Sequence, residues 1–286
     1  MIKRLFIPAM LSLMIFTACE EKMDFKSEEI AGETIVVEGT FTTDTTAHVI
    51  KISRTGDFFS VETKKLETGA MVTISGGGST MLLEESAPGV YQTAPDVFGV
   101  EGETYRLDII TSGGESFHAT ETMPRMVSPD SVTVSANINH LDPTTDWLGY
   151  GYEIFYHGPE PEGIGDYYLW NLYVDGEKNN DTIFETAFID DSFVDGNYIK
   201  NFPVFMVPDT EMDHDSSLIT LETLTITRGY YSFLNGLMLE TVWRGSPWDG
   251  PPANVETNIQ PGGFGYFNVA ASNKVNKLVV QSQRVD

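Results

Sequence analysis

From Thr34 onward the chain is written in short runs where apolar and polar residues alternate, and that period of two decides its fold class. Successive side chains of a strand point to opposite faces, so alternation marks a strand with one buried and one wet face. The run Ile35 to Phe41 opens the series. His48 to Ser53, Ala70 to Ser75, Thr80 to Leu83, Val90 to Thr93, Thr104 to Thr111 and Ser116 to Thr122 continue it. About seven short strands with turn residues between them predict an antiparallel sandwich, immunoglobulin-like or transthyretin-like. Gly76-Gly77-Gly78 lies between two of these runs, lacks the Lys-Ser/Thr ending of a phosphate loop and opens no helix, so it reads as a hairpin turn. Pro124 and Pro129 then interrupt pairing and place a boundary between a sandwich domain, 34–125, and a second domain, 126–286.

The second domain is strand-rich, aromatic and acidic. Its expected strands are Ser131 to Ile138, Gly149 to Tyr156, Tyr167 to Val174, Thr182 to Phe188, Phe202 to Met206, Leu218 to Thr227, Gly265 to Ala271 and Lys277 to Gln281. One helix is expected, Tyr230 to Val242, where Tyr230, Phe233, Leu234, Leu237, Met238 and Val242 recur at helical spacing around an unfavourable Gly236. The fold class is therefore mainly β: a sandwich followed by a larger β-rich domain with one helix.

Ahead of the sandwich, Lys3 and Arg4 precede an apolar run from Leu5 to Phe16, the layout of a secretory signal too short to span a bilayer. The only cysteine follows at Cys19, behind Phe16-Thr17-Ala18, which resembles a lipobox with Phe16 in place of the usual small aliphatic residue. Cleavage there removes residues 1–18 and leaves a lipid on the Cys19 thiol. An ordinary signal peptide with an incidental cysteine is the alternative. Residues 19–33 are polar, acidic just after Cys19 and without periodicity, and read as a tether. The acidic stretch Glu20 to Asp24 also resembles a surface-export signal.

Charge narrows the partners. Without Lys3 and Arg4 the mature chain has 15 basic against 42 acidic residues, a net charge of −27. Such a surface repels phosphate backbones and anionic headgroups, which argues against nucleic acid and leaves anchoring to the lipid.

Candidate sites are few. Asp209, Glu211, Asp213 and Asp215 alternate as at the start of a calcium loop, but His214 stands at the turn-glycine position and Thr220 where the closing Glu belongs. Asp190, Asp191, Asp195 and Asn197 around Gly196 form a second acidic group. Calcium at either is weighed against a solvated acidic loop, which is the expectation; no other cofactor is implied. The histidines His48, His118, His140, His157 and His214 are scattered, without a zinc-protease motif or a Gly-x-Ser-x-Gly elbow, so no catalytic residue is assigned and no enzyme is expected. Tyr150-Tyr152-Ile154-Tyr156 and Tyr168-Trp170-Leu172-Val174 read as core faces of strands, whereas Trp147 and Trp248 lie in loop-like sequence and are the candidate ligand or partner contacts.

The order of these features resembles the domain-of-unknown-function family numbered 4249. The carrying stretches are Ile35 to Gly39, His48 to Asp57, Pro88 to Tyr91, Gly102 to Tyr105 and Ala119 to Pro124. Near the C-terminus they are Tyr230 to Leu234, Ser246-Pro247-Trp248, Pro252 to Val255, Asn258-Ile259 and Gly262 to Phe267. Trp248 stands where the family usually has Phe, and residues 140–215 match most loosely. The resemblance implies an outer-membrane, surface-exposed lipoprotein of Bacteroidota, a non-enzymatic accessory subunit beside a TonB-dependent transporter. It supplies no catalytic residues to carry over. A stand-alone adhesin or glycan-binding module is the competing expectation.

Overall fold

A computed structural model describes residues 33–56, 65–141, 148–212, 216–242 and 255–280, with backbone alone at 137–141 and 148–150. Its first layered body grows from β1 (Ile35–Thr42) and β2 (Val49–Arg54), antiparallel with Val37 opposite Ile52. On β2 lie β3 (Lys65–Leu66) and β6 (Val90–Gln92). A second layer is formed by β4 (Met71–Gly76), β7 (Thr104–Ile110) and β8 (Ser116–Thr122).

The layers share β5 (Ser79–Ala87), whose first half pairs with β4 and whose second half pairs with β6. Between β4 and β5, Gly77 and Gly78 take φ of 56° and 77°, the two positive values a tight hairpin turn requires. Val37, Phe41, Ile50 and Ile52 from one layer meet Val72, Ile74, Leu107 and Ile109 from the other in a closed core. The alternation in the sequence is thus a real division between faces.

A second body follows. Strands β11 (Tyr167–Val174) and β15 (Ser216–Ile226) pair along their length, with Leu172 opposite Leu221. The short β12 (Glu177–Lys178) and β13 (Ala187–Asp190) flank β11. Over one face lies an antiparallel sheet of β9 (Ser131–Leu141), β10 (Leu148–Pro159) and β14 (Tyr198–Pro208), with β10 central. The aromatic runs are its core: Tyr152, Ile154, Tyr156, Tyr168, Trp170 and Leu172 are buried together, and Trp170 meets Tyr156 edge-on at 5.5 Å between ring centres.

The other face of β11 and β15 is covered by α1 (Arg228–Val242), whose Leu234 packs with Leu169, Leu224, Ile226 and Ala270. The helix starts two residues before its expected beginning, because the Thr227 side-chain oxygen accepts the Tyr230 N–H at 3.2 Å as an N-cap. Gly236 lets residue 255 lie against the helix, since a Cβ there would sit 3.2 Å from Val255 Cγ1. No helix among the described residues is long and apolar enough to cross a membrane.

Two elements differ from expectation. Residues 264–280 form one long strand, β16 (Phe264–Val280), in place of two. The polar middle does not end it because β15 and the bend after β1 satisfy it: the Ser272 hydroxyl lies 3.1 Å from carboxylate oxygens of both Asp44 and Glu222, and Lys274 Nζ reaches Asp44 at 2.5 Å. Residues 182–188 are not a continuous strand. Thr182 and Glu185 form a capping box around a 3₁₀ turn, Ile183–Glu185, before β13 begins.

Strand β16 also connects the two bodies. Its first part runs parallel to β1, from Val36 opposite Phe264 to Thr42 opposite Ala270, and its second part runs antiparallel to β15. The main sheet therefore continues from β11 through β15, β16 and β1 to β2, and residues from Thr34 onward form one compact unit. The proline-marked segment passes from one core to the other, with Met123 buried in the first and Val127 in the second.

Candidate functional site

Of the residues singled out in the sequence, Cys19, Trp147, Trp248, Asp213 and Asp215 lie outside the described residues. Asp209 and Glu211 are described. They belong to a 3₁₀ turn, Asp209–Glu211, not an extended strand, so the two carboxylates do not share one face as strand alternation would have them do. Glu211 accepts a hydrogen bond from Asn179 Nδ2 at 2.6 Å. His48 and His157 are buried in different parts of the fold and each is bonded to its surroundings, His48 to Val97 O and His157 to Thr133.

The carboxylates that do converge are Glu160, Asp166 and Asp191, one oxygen from each lying within 4.8 Å of the others. Pairing explains why. Glu160 follows the end of β10, Asp166 precedes β11 and Asp191 follows β13. The β11–β13 ladder sets Tyr167 opposite Asp190, which brings 166 beside 191, and the Asp191 N–H donates to Asp166 O at 3.1 Å. Glu160 is tied to the same place by its N–H, which donates to Asn197 O at 2.8 Å.

Each carboxylate has defined partners. Asp191 Oδ2 accepts the N–H groups of Gly165 and Asp166 at 2.8 and 3.0 Å. Glu160 accepts the Tyr168 hydroxyl proton, its two oxygens 2.8 and 2.7 Å from that oxygen. Asp166 Oδ2 is held by Arg125 Nη2 at 2.6 Å. Burial raises the Glu160 carboxyl above its ordinary range, and the charges of Asp166 and Asp191 add to that rise, against lowering contributions from Tyr168 and Arg125. Three hard oxygen ligands in this arrangement can share a proton or hold a hard cation such as calcium, with Arg125 competing for Asp166.

Sequence reasoning found Asp191 but grouped it with Asp190, Asp195 and Asn197, which do not converge. Asp195 Oδ1 instead accepts Gly163 N–H at 2.6 Å, Asp190 Oδ1 accepts Ser192 N–H at 3.3 Å, and Asn197 donates to Asp195 O at 2.9 Å. Glu160 and Asp166 were missed. Their only local signal is a pair of acids bracketing the glycine-rich loop before β11.

A family model described as "Domain of unknown function (DUF4249)" matches residues 20–275. No curated protein matches the chain. With the family model spanning the sandwich, the aromatic second body, the helix and most of the strand that connects them, the chain belongs to the DUF4249 family.

Proposed function

We propose that this protein is a surface-anchored outer-membrane lipoprotein, a non-enzymatic accessory subunit of TonB-dependent nutrient uptake. The observation that carries the reading is Cys19, the only cysteine, placed behind Thr17-Ala18 at the end of a secretory apolar run and ahead of an acidic tether. Membership of the DUF4249 family supports it. In this reading a lipid on Cys19 attaches the chain, the tether gives it reach, and the β-rich body presents contacts to a transporter. One acyl chain anchors only reversibly, so lasting attachment calls for more than one.

Two experiments test it. A palmitate analogue fed to cells labels the wild-type protein and leaves Cys19→Ala unlabelled. Affinity purification of the tagged full-length protein from gently solubilised outer membranes brings a transporter barrel with it in stoichiometric amount. A protein that purifies alone overturns the accessory-subunit reading. Attention then turns to a stand-alone adhesin or glycan binder, for which Trp147 and Trp248 are the residues to substitute on a glycan array.

A further inference from the structure

The loops that frame the acidic triad also carry the two most exposed large apolar side chains among the described residues, Phe193 at 92 % and Ile164 at 76 %. Both are held on well-bonded backbone. Ile164 lies between Gly163, whose N–H donates to Asp195 Oδ1 at 2.6 Å, and Gly165, whose N–H donates to Asp191 Oδ2 at 2.8 Å. Phe193 lies in a turn closed by the Val194 and Asp195 N–H groups, each 2.9 Å from Asp191 O. Asp191 and Asp195 thus tie both loops into one tip. An apolar group held in water gains nothing from burial in the fold, and an anchor already fixed in place loses little entropy on binding.

Around these anchors Glu162, Asp190 and Asp195 reach the surface, with Asp166 half-buried and paired to Arg125, while Glu160 and Asp191 lie buried beneath them. This collar repels anionic headgroups, and it repels the same tip of a second copy. We propose that the tip formed by residues 160–166 and 191–197 is a docking site for a protein face with an apolar pocket rimmed by Lys and Arg. Phe193 and Ile164 fill the pocket, and the collar steers the approach of the basic rim. The inference rests on the accessory-subunit reading, in which that face belongs to the transporter.

The test repeats the purification from outer membranes with the full-length wild type, the Ile164→Ser/Phe193→Ser double variant and Glu162→Lys, each checked for an unchanged thermal midpoint. The double variant is expected to recover roughly tenfold less barrel, or none. Glu162→Lys is expected to lower recovery as well, and wild-type capture to fall as salt rises. Barrel recovered at the wild-type level by the double variant overturns this docking site and leaves the accessory-subunit reading standing. A wild-type preparation without barrel overturns both. A wild-type dimer in sedimentation that the double variant dissolves assigns the tip to self-association and overturns the proposal too.

Discussion

Gly265 holds φ at 82° opposite Val37 in the parallel ladder, and a Cβ there would run into the Val37 carbonyl oxygen. Gly265→Ala is expected to cost about 1–3 kcal/mol, because the side chain demands both a disfavoured backbone region and room the ladder does not have. A lower denaturant midpoint with an unchanged slope is the expected reading; no loss of stability would contradict it. His48 carries the pH dependence to check. Burial holds its imidazole below the ordinary value of 6.5, with the Thr42 N–H directed at Nδ1 and Val97 O at Nε2. A histidine harder to protonate folded than unfolded contributes stability that is complete above 6.5 and is lost as pH falls through the folded value. The thermal midpoint should therefore fall on acidification from pH 7.5 to 5, and His48→Gln should flatten that slope. An identical slope in the variant would remove His48 from the account.

At the scale of elements, α1 depends on both its cap and the sheet beneath it. Thr227→Ala removes the acceptor for the Tyr230 N–H and should cost about 1 kcal/mol, measurable by denaturant titration. The helix was legible because Phe233, Leu234 and Leu237 recur at its own period, a local property of the chain. Its start was not, since apolar spacing does not register a cap. The strands β4, β7, β10 and β11 were legible for the same local reason. Residues Ser272 to Asn276 misled because a polar run ordinarily marks a break. Here Asp44 and Glu222, more than 200 and about 50 residues away in sequence, provide the partners that keep it in the sheet. Glu160, Asp166 and Asp191 were illegible as a site for a similar reason: Asp166 meets Asp191 only because Tyr167 pairs with Asp190 past β12 and a 3₁₀ turn, and Glu160 joins them through its N–H to Asn197 O.

For the whole molecule, β16 is the strand both bodies share, so neither has a complete sheet without the other. The protein should unfold in one transition, with far-UV circular dichroism and near-UV signals from the aromatic cores falling together; two separated transitions would contradict this. A chain ending at residue 125 should be unstable, since β1 would lose its partner along Val36 to Thr42 and present an open edge. The sequence by itself determined the mainly β class, the aromatic core faces of β10 and β11, the helix α1 and the family, because each is written in local periodicity or in short ordered motifs. Only the tertiary structure decided that one strand completes both bodies and that three scattered carboxylates stand together beside two exposed anchors. Those outcomes rest on pairings between distant segments, and a pairing partner leaves no mark on the local pattern of the strand that waits for it.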